Sequence, residues 1–154
     1  MPASHPMYTP IPAYEIRTQK AAIAVGAVFL ALGVLGFVPG ITTQYDQLAF
    51  AGHESGAHLF GLFTVSVVHN LIHVAFGVAG TLLGSTFDRA RRFLVEGGIV
   101  YLAFFAYGLT VGHGGAADVL PVNAADNWLH LGLAVAMIAL GIGLGRRPSD
   151  GPPR

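Results

Sequence analysis

The sequence predicts an all-α membrane protein, a four-helix bundle made of two repeated transmembrane helical hairpins. Three observations predict it. Of 154 residues, 53% are hydrophobic and only 10% charged, against roughly 25% charged in ordinary soluble domains. The apolar residues gather into four stretches. The first and third stretches resemble each other, and so do the approaches to the second and fourth.

The four stretches run over about 21–40, 67–84, 93–112 and 124–145. Each is near the ~20 residues a helix needs to cross ~30 Å of hydrocarbon. Backbone in lipid must satisfy its own hydrogen bonds, so each stretch reads as a helix. The many glycines fit, because small residues let membrane helices pack closely. Residues 1–17 and 147–154 read as flexible tails around a transmembrane domain over 18–146. The segment Met1–Ile16 bears prolines and lacks Lys and Arg, which is no signal-peptide pattern. In the long connection 41–66, Tyr45–Ala51 suits a short helical turn. The run His58-Leu59-Phe60-Gly61-Leu62-Phe63 is apolar enough to lie on a membrane surface.

All eight basic residues fall on one side of this arrangement: Arg17 and Lys20, then Arg89, Arg91 and Arg92, then Arg146, Arg147 and Arg154. The connections 41–66 and 113–123 contain none. The positive-inside rule then puts both termini and the 85–92 turn in the cytoplasm, in a multi-pass protein of a plasma membrane. Net charge is zero, so no global field recruits nucleic acid. Cysteine is absent, which excludes disulfides, thiolate metal sites and a cysteine nucleophile.

Gly26–Gly40 (GAVFLALGVLGFVPG) aligns without gaps on Gly98–Gly112 (GIVYLAFFAYGLTVG), with six of fifteen positions identical. Phe63–Ala79 aligns on Leu120–Ala136, pairing Asn70 with Asn127 and His73 with His130. Both halves start and end on the same side, so the repeats are parallel, related by a pseudo-twofold axis along the membrane normal.

The polar residues that could carry chemistry open the second and fourth helices. Ser66 and Asn123 suit N-caps, and His69 and Asp126 fall at the third helical position, where a side chain can answer the cap. Capping accounts for Ser66, Asn123 and Asp126 without further function. Asn70, His73, Asn127 and His130 lie one to two turns deeper and should face the bundle interior. His69, His73, Gly77, Gly80 and Gly84 share one face of the second helix, and His130, Ala134, Gly141 and Gly145 one face of the fourth. Packing of these two faces on each other would bring the related histidines together. As interhelical glue, the Asn and His side chains would contribute about 0.6 kcal/mol per hydrogen bond. As ligands, His69, His73 and His130 would suit zinc, copper or iron, and paired histidines would suit a haem. No cofactor is predicted outright.

Other residues read more plainly. Glu96 pairs with Arg92 or reaches the interface; the alternative is an intramembrane carboxylate with a function. His53, Glu54, His58, His113 and Asp118 read as solvated loop residues. Tyr101, Phe104, Phe105 and Tyr107 read as packing or lipid contacts, and Trp128 as an interface anchor. There is no Walker motif, GxSxG or HExxH.

At these residues the chain resembles a family of small bacterial four-helix membrane proteins classed as a domain of unknown function. The resemblance spans about 18–146 and rests on GLFTVSVVHNLIHVAFG and LPVNAADNWLHL. The family often shows Pro-Val-Asn before the second helix. Here Thr64-Val65-Ser66 keeps the capping residue and loses the proline. The resemblance implies architecture and a bacterial plasma membrane, and brings no activity with it. The expected function is that of a non-enzymatic accessory or interaction subunit, with the bilayer, another membrane protein or a second copy as partner. The rivals are a His-ligated metal or haem protein with a redox role, and an oligomeric small-solute or proton transporter.

Overall fold

The computed structural model describes residues 11–52, 54–110 and 119–145. Within them the chain forms four helices: α1 (Ala13–Leu35), α2 (Val67–Leu83), α3 (Phe87–Thr110) and α4 (Ala124–Gly143). Three short strands, β1 (Thr42–Thr43), β2 (His58–Leu59) and β3 (Phe63–Thr64), pair antiparallel in the order β1-β2-β3. Helices α1, α3 and α4 are long and apolar enough to cross a membrane; α2, at 17 residues, is shorter.

The helix boundaries differ from the apolar stretches for local reasons. Helix α1 opens at Ala13, ahead of the apolar run, so residues 13–17 are helix rather than tail. Its first turns are pinned by a Tyr14–Phe87 edge-to-face contact at 5.3 Å and by buried Thr18. It ends at Leu35 because the Thr42 hydroxyl donates to the carbonyls of Leu35 and Gly36, at 3.2 and 3.1 Å. Those are orphan acceptors at a helix C-terminus. Helix α3 starts at Phe87, so Arg89, Arg91 and Arg92 ride its first turns instead of forming a turn over 85–92. Phe87, Ala90, Phe93 and Leu94 supply the buried stripe that makes those turns helical.

His58–Thr64 folds back as the β2–β3 hairpin, turning at Phe60 and Gly61, whose φ angles are 55° and 69°. A 3₁₀ turn occupies Tyr45–Gln47. The loop 41–66 also completes the start of α2. Val67 and Val68 donate their N–H groups to the carbonyls of Ala49 and Phe50, each at 3.0 Å. These are the orphan donors every helix start leaves.

Packing is tightest within each hairpin. A Cβ added at Gly26 would lie 2.9 Å from the carbonyl oxygen of Gly77 and from the nitrogen of Thr81. A Cβ at Gly98 would lie 3.0 Å from the carbonyl oxygen of Ala134 and 3.2 Å from the nitrogen of Ile138. Thus the small-residue faces of α2 and α4 pack on the first helix of their own hairpin, not on each other. The two hairpins meet through α1 and α3, where the Phe29 and Tyr101 rings lie 4.8 Å apart at the centre of the buried core.

Candidate functional site

The polar residues collect at the end of the bundle covered by the sheet. Ser66 is the N-cap of α2 and accepts from the His69 N–H at 3.1 Å. Asn123 is the N-cap of α4, in a capping box with Asp126. Asn123 Oδ1 accepts from the Asp126 N–H at 3.0 Å, and Asp126 Oδ2 accepts from the Asn123 N–H at 2.9 Å.

The same Asp126 oxygen reaches the other hairpin, accepting from the Thr64 N–H at 3.0 Å. Asn123 Nδ2 donates to the Leu62 carbonyl and to Thr64 Oγ1, both at 2.8 Å. In the reverse direction the His69 ring lies beside the backbone of Pro121 in the other hairpin and of Thr64 in its own. Pro121 has no N–H, so its carbonyl is the backbone polar atom that faces the ring. Thr64 and Pro121 occupy matching positions of the two halves, as do His69 and Asp126. Each hairpin's third helical residue therefore meets the other hairpin's pre-helix segment, Asp126 through a hydrogen bond and His69 through its ring.

Beneath this collar the three histidines come together. The His69 and His73 rings lie 4.7 Å apart, and His69 and His130 lie 5.8 Å apart. His73 and His130 both meet the Tyr101 ring edge-to-face, at 6.2 and 5.6 Å. All four residues are buried. His73 Nδ1 bonds to the His69 carbonyl at 3.1 Å, inside its own helix. His69 Nδ1, His130 Nδ1 and the Tyr101 hydroxyl have no hydrogen-bonding partner. Among the described residues, no three His, Cys, Asp or Glu side chains are placed to hold a metal ion.

The two asparagines pack within their hairpins. The Asn70 amide lies where a Cβ of Gly36 would project, and the Asn127 amide where a Cβ of Gly108 would. Asn127 Nδ2 donates to the Gly108 carbonyl at 3.2 Å, while Asn70 Nδ2 is unpartnered. These positions also align with each other in the sequence, 36 with 108 and 70 with 127.

Glu96 is exposed on α3, beside a groove along α2, away from the histidines. His58 Nδ1 bonds to the Gly56 carbonyl at 2.8 Å within its own loop, and Glu54 is exposed. His53, His113 and Asp118 lie outside the described residues. Trp128 is exposed near the start of α4.

Three contributors are not apparent from residue type alone. Tyr101 reads as packing, yet its ring stands between the histidines. Its signal is in the alignment of the two halves: it stands opposite Phe29 there and brings a hydroxyl into the core. Tyr107 also reads as packing, yet its hydroxyl accepts from the Val119 and Leu120 N–H groups at 2.9 and 3.1 Å, fixing the approach to α4. Thr64 acts through its backbone N–H as well as its hydroxyl, and no side-chain motif reveals the former.

Neither a curated protein nor a solved structure matches this chain. A family described as a domain of unknown function (DUF4383) matches residues 19–143, and the chain, a helical membrane protein, belongs to that family.

Proposed function

We propose that the protein is a non-enzymatic accessory or interaction subunit of a bacterial plasma membrane, built from two tandem parallel hairpins that each cross the bilayer twice. The observation that carries this reading is the reciprocal collar. Asp126 and Asn123 join one hairpin to the other by hydrogen bonds, with the His69 ring against the Pro121 backbone, which is scaffolding work. The outward helix faces carry exposed apolar side chains such as Val28, Leu82, Ile99 and Ile142, as lipid contact requires. The Phe29–Tyr101 contact supports the duplication, because equivalent residues touch each other at a twofold axis. The basic residues support cytoplasmic termini. Arg17, Lys20, Arg89, Arg91 and Arg92 lie on the first turns of α1 and α3, and Arg91 lies against Gly145 beyond the end of α4.

A second reading has its own observation. Three buried polar atoms, His69 Nδ1, His130 Nδ1 and the Tyr101 hydroxyl, lack partners, and such orphans are uncommon in native interiors. They suit a small ligand held by imidazole. The visible spectrum and metal content of the purified protein separate the two readings. The accessory reading expects folded protein with no Soret band and no stoichiometric metal. A band or metal that disappears in His73→Ala and His130→Ala overturns it in favour of the ligand site.

A further inference from the structure

We propose that the groove between α2 and α3 seats one anionic phospholipid, its phosphate on Arg89 and Arg92 and an acyl chain along the helices. Helices α2 and α3 follow each other in sequence but belong to different hairpins, and the seam between them is open. On α2 it is lined by Ala75, Phe76, Ala79 and Leu83, and on α3 by Phe93, Gly97 and Val100. Ala75, Ala79 and Gly97 are too small to fill it, which leaves a cavity of about 380 Å³. A second cavity of about 320 Å³ continues it towards the start of α3, where Arg89 and Arg92 line the wall. Leu83, Phe93 and Glu96 border both. The pair makes one amphiphilic channel, cationic at one end and apolar at the other.

Charge argues for a phosphate. Arg89 and Arg92 are three residues apart, on one face of the helix. Both are exposed, and no hydrogen bond or ion pair with a described residue engages them. Arg89 sits in the first turn of α3, where the positive end of the helix dipole disfavours a cation, and Arg92 lies just beyond it. Asp88 is the one acidic residue in that first turn. A phosphate relieves both the repulsion and the dipole, and arginine's planar fork matches it. With Glu96 counted, the ionisable lining remains net positive.

Length argues for a lipid over a partner helix. Val100 lies eight residues beyond Arg92, roughly 12 Å at 1.5 Å per residue. Half of a ~30 Å hydrocarbon layer is about 15 Å. The groove therefore runs from the headgroup level to near the bilayer midplane and stops there. An acyl chain ends at that depth, whereas a spanning helix of a partner or a second copy would need a seam of full length.

The test is retention of phosphatidylglycerol against phosphatidylcholine by the full chain in detergent, read by native mass spectrometry, with circular dichroism as the folding control. Phosphatidylglycerol should be retained preferentially. The double variant Arg89→Gln/Arg92→Gln should weaken it about thirtyfold, each arginine near an anionic lipid contributing a factor of about five. Ala75→Phe, at an exposed position, should displace the lipid while leaving the helical signal intact. Glu96→Gln should strengthen retention. Equal retention of the two lipids, or retention untouched by both the arginine and Ala75 variants, overturns the proposal. So does a concentration-dependent dimer abolished by Ala75→Phe, which would give the groove to a second copy. Soluble glycerol phosphate should compete weakly; competition as strong as the lipid's would reduce the site to a phosphate site and remove the acyl chain from it.

Discussion

Asp126 ties its own helix start to the other hairpin. One of its oxygens accepts from two backbone N–H groups on different hairpins. Asp126→Ala loses a cap interaction, typically ~1 kcal/mol. It also strands the Thr64 N–H, since a buried donor left unpaired costs about 1–3 kcal/mol. A loss of roughly 2–4 kcal/mol in denaturant unfolding in detergent is expected. Asp126→Asn retains an acceptor oxygen and should lose less than half of that. Tyr101 gives the opposite expectation. Its hydroxyl is buried without a partner, and removing an unsatisfied group costs nothing in hydrogen bonds. Tyr101→Phe, which restores the residue type of position 29, should leave stability unchanged or raise it by about 1 kcal/mol. A clear fall in the same unfolding measurement would mean that the hydroxyl is engaged by something bound.

At the scale of elements, each hairpin is locked by an Asn amide seated on a glycine. Gly36→Ala and Gly108→Ala both place a methyl group inside an amide, and overpacking of this kind costs about 1–3 kcal/mol. Truncating the amide should relieve the clash. Gly36→Ala/Asn70→Ala and Gly108→Ala/Asn127→Ala should each be more stable than additivity allows, by about 0.5–3 kcal/mol. Near-equal coupling in both cycles is what a duplicated hairpin predicts; additive behaviour in either would count against it. These pairs also show how far the sequence could be read. Helix number, the caps and the depth of Asn70, His73, Asn127 and His130 follow from periodicity and capping chemistry, which are local. The packing partner of the glycine faces is not local. The sequence places glycines on α2 and alanine and glycine on α4, but nothing in one chain says whether these faces meet each other or α1 and α3. Helix ends failed for a similar reason. Hydropathy marks where lipid begins, whereas α1 and α3 extend beyond it through Tyr14, Phe87 and Ala90, which are covered by protein.

For the whole molecule, the ends of the bundle are chemically distinct. One carries the sheet, the caps and the histidines; the other carries the arginines and the short turn between α2 and α3. Helix α2 rises only about 25 Å over its 17 residues, less than the ~30 Å hydrocarbon layer. It can still complete a crossing if its capped end begins below the headgroups, since the β2–β3 hairpin and the loop carbonyls satisfy its first N–H groups there. Irregular backbone is tolerated at that depth where protein covers it. The absence of cysteine makes the orientation directly measurable. Thr43, at the sheet, and Ser85, in the α2–α3 turn, are both exposed and lie at opposite ends. Thr43→Cys should react with a membrane-impermeant maleimide in intact cells. Ser85→Cys should react only after permeabilisation. The reverse pattern would invert the protein and put the arginine end outside. Labelling of both in intact cells would mean that α2 does not cross, leaving an odd number of spans.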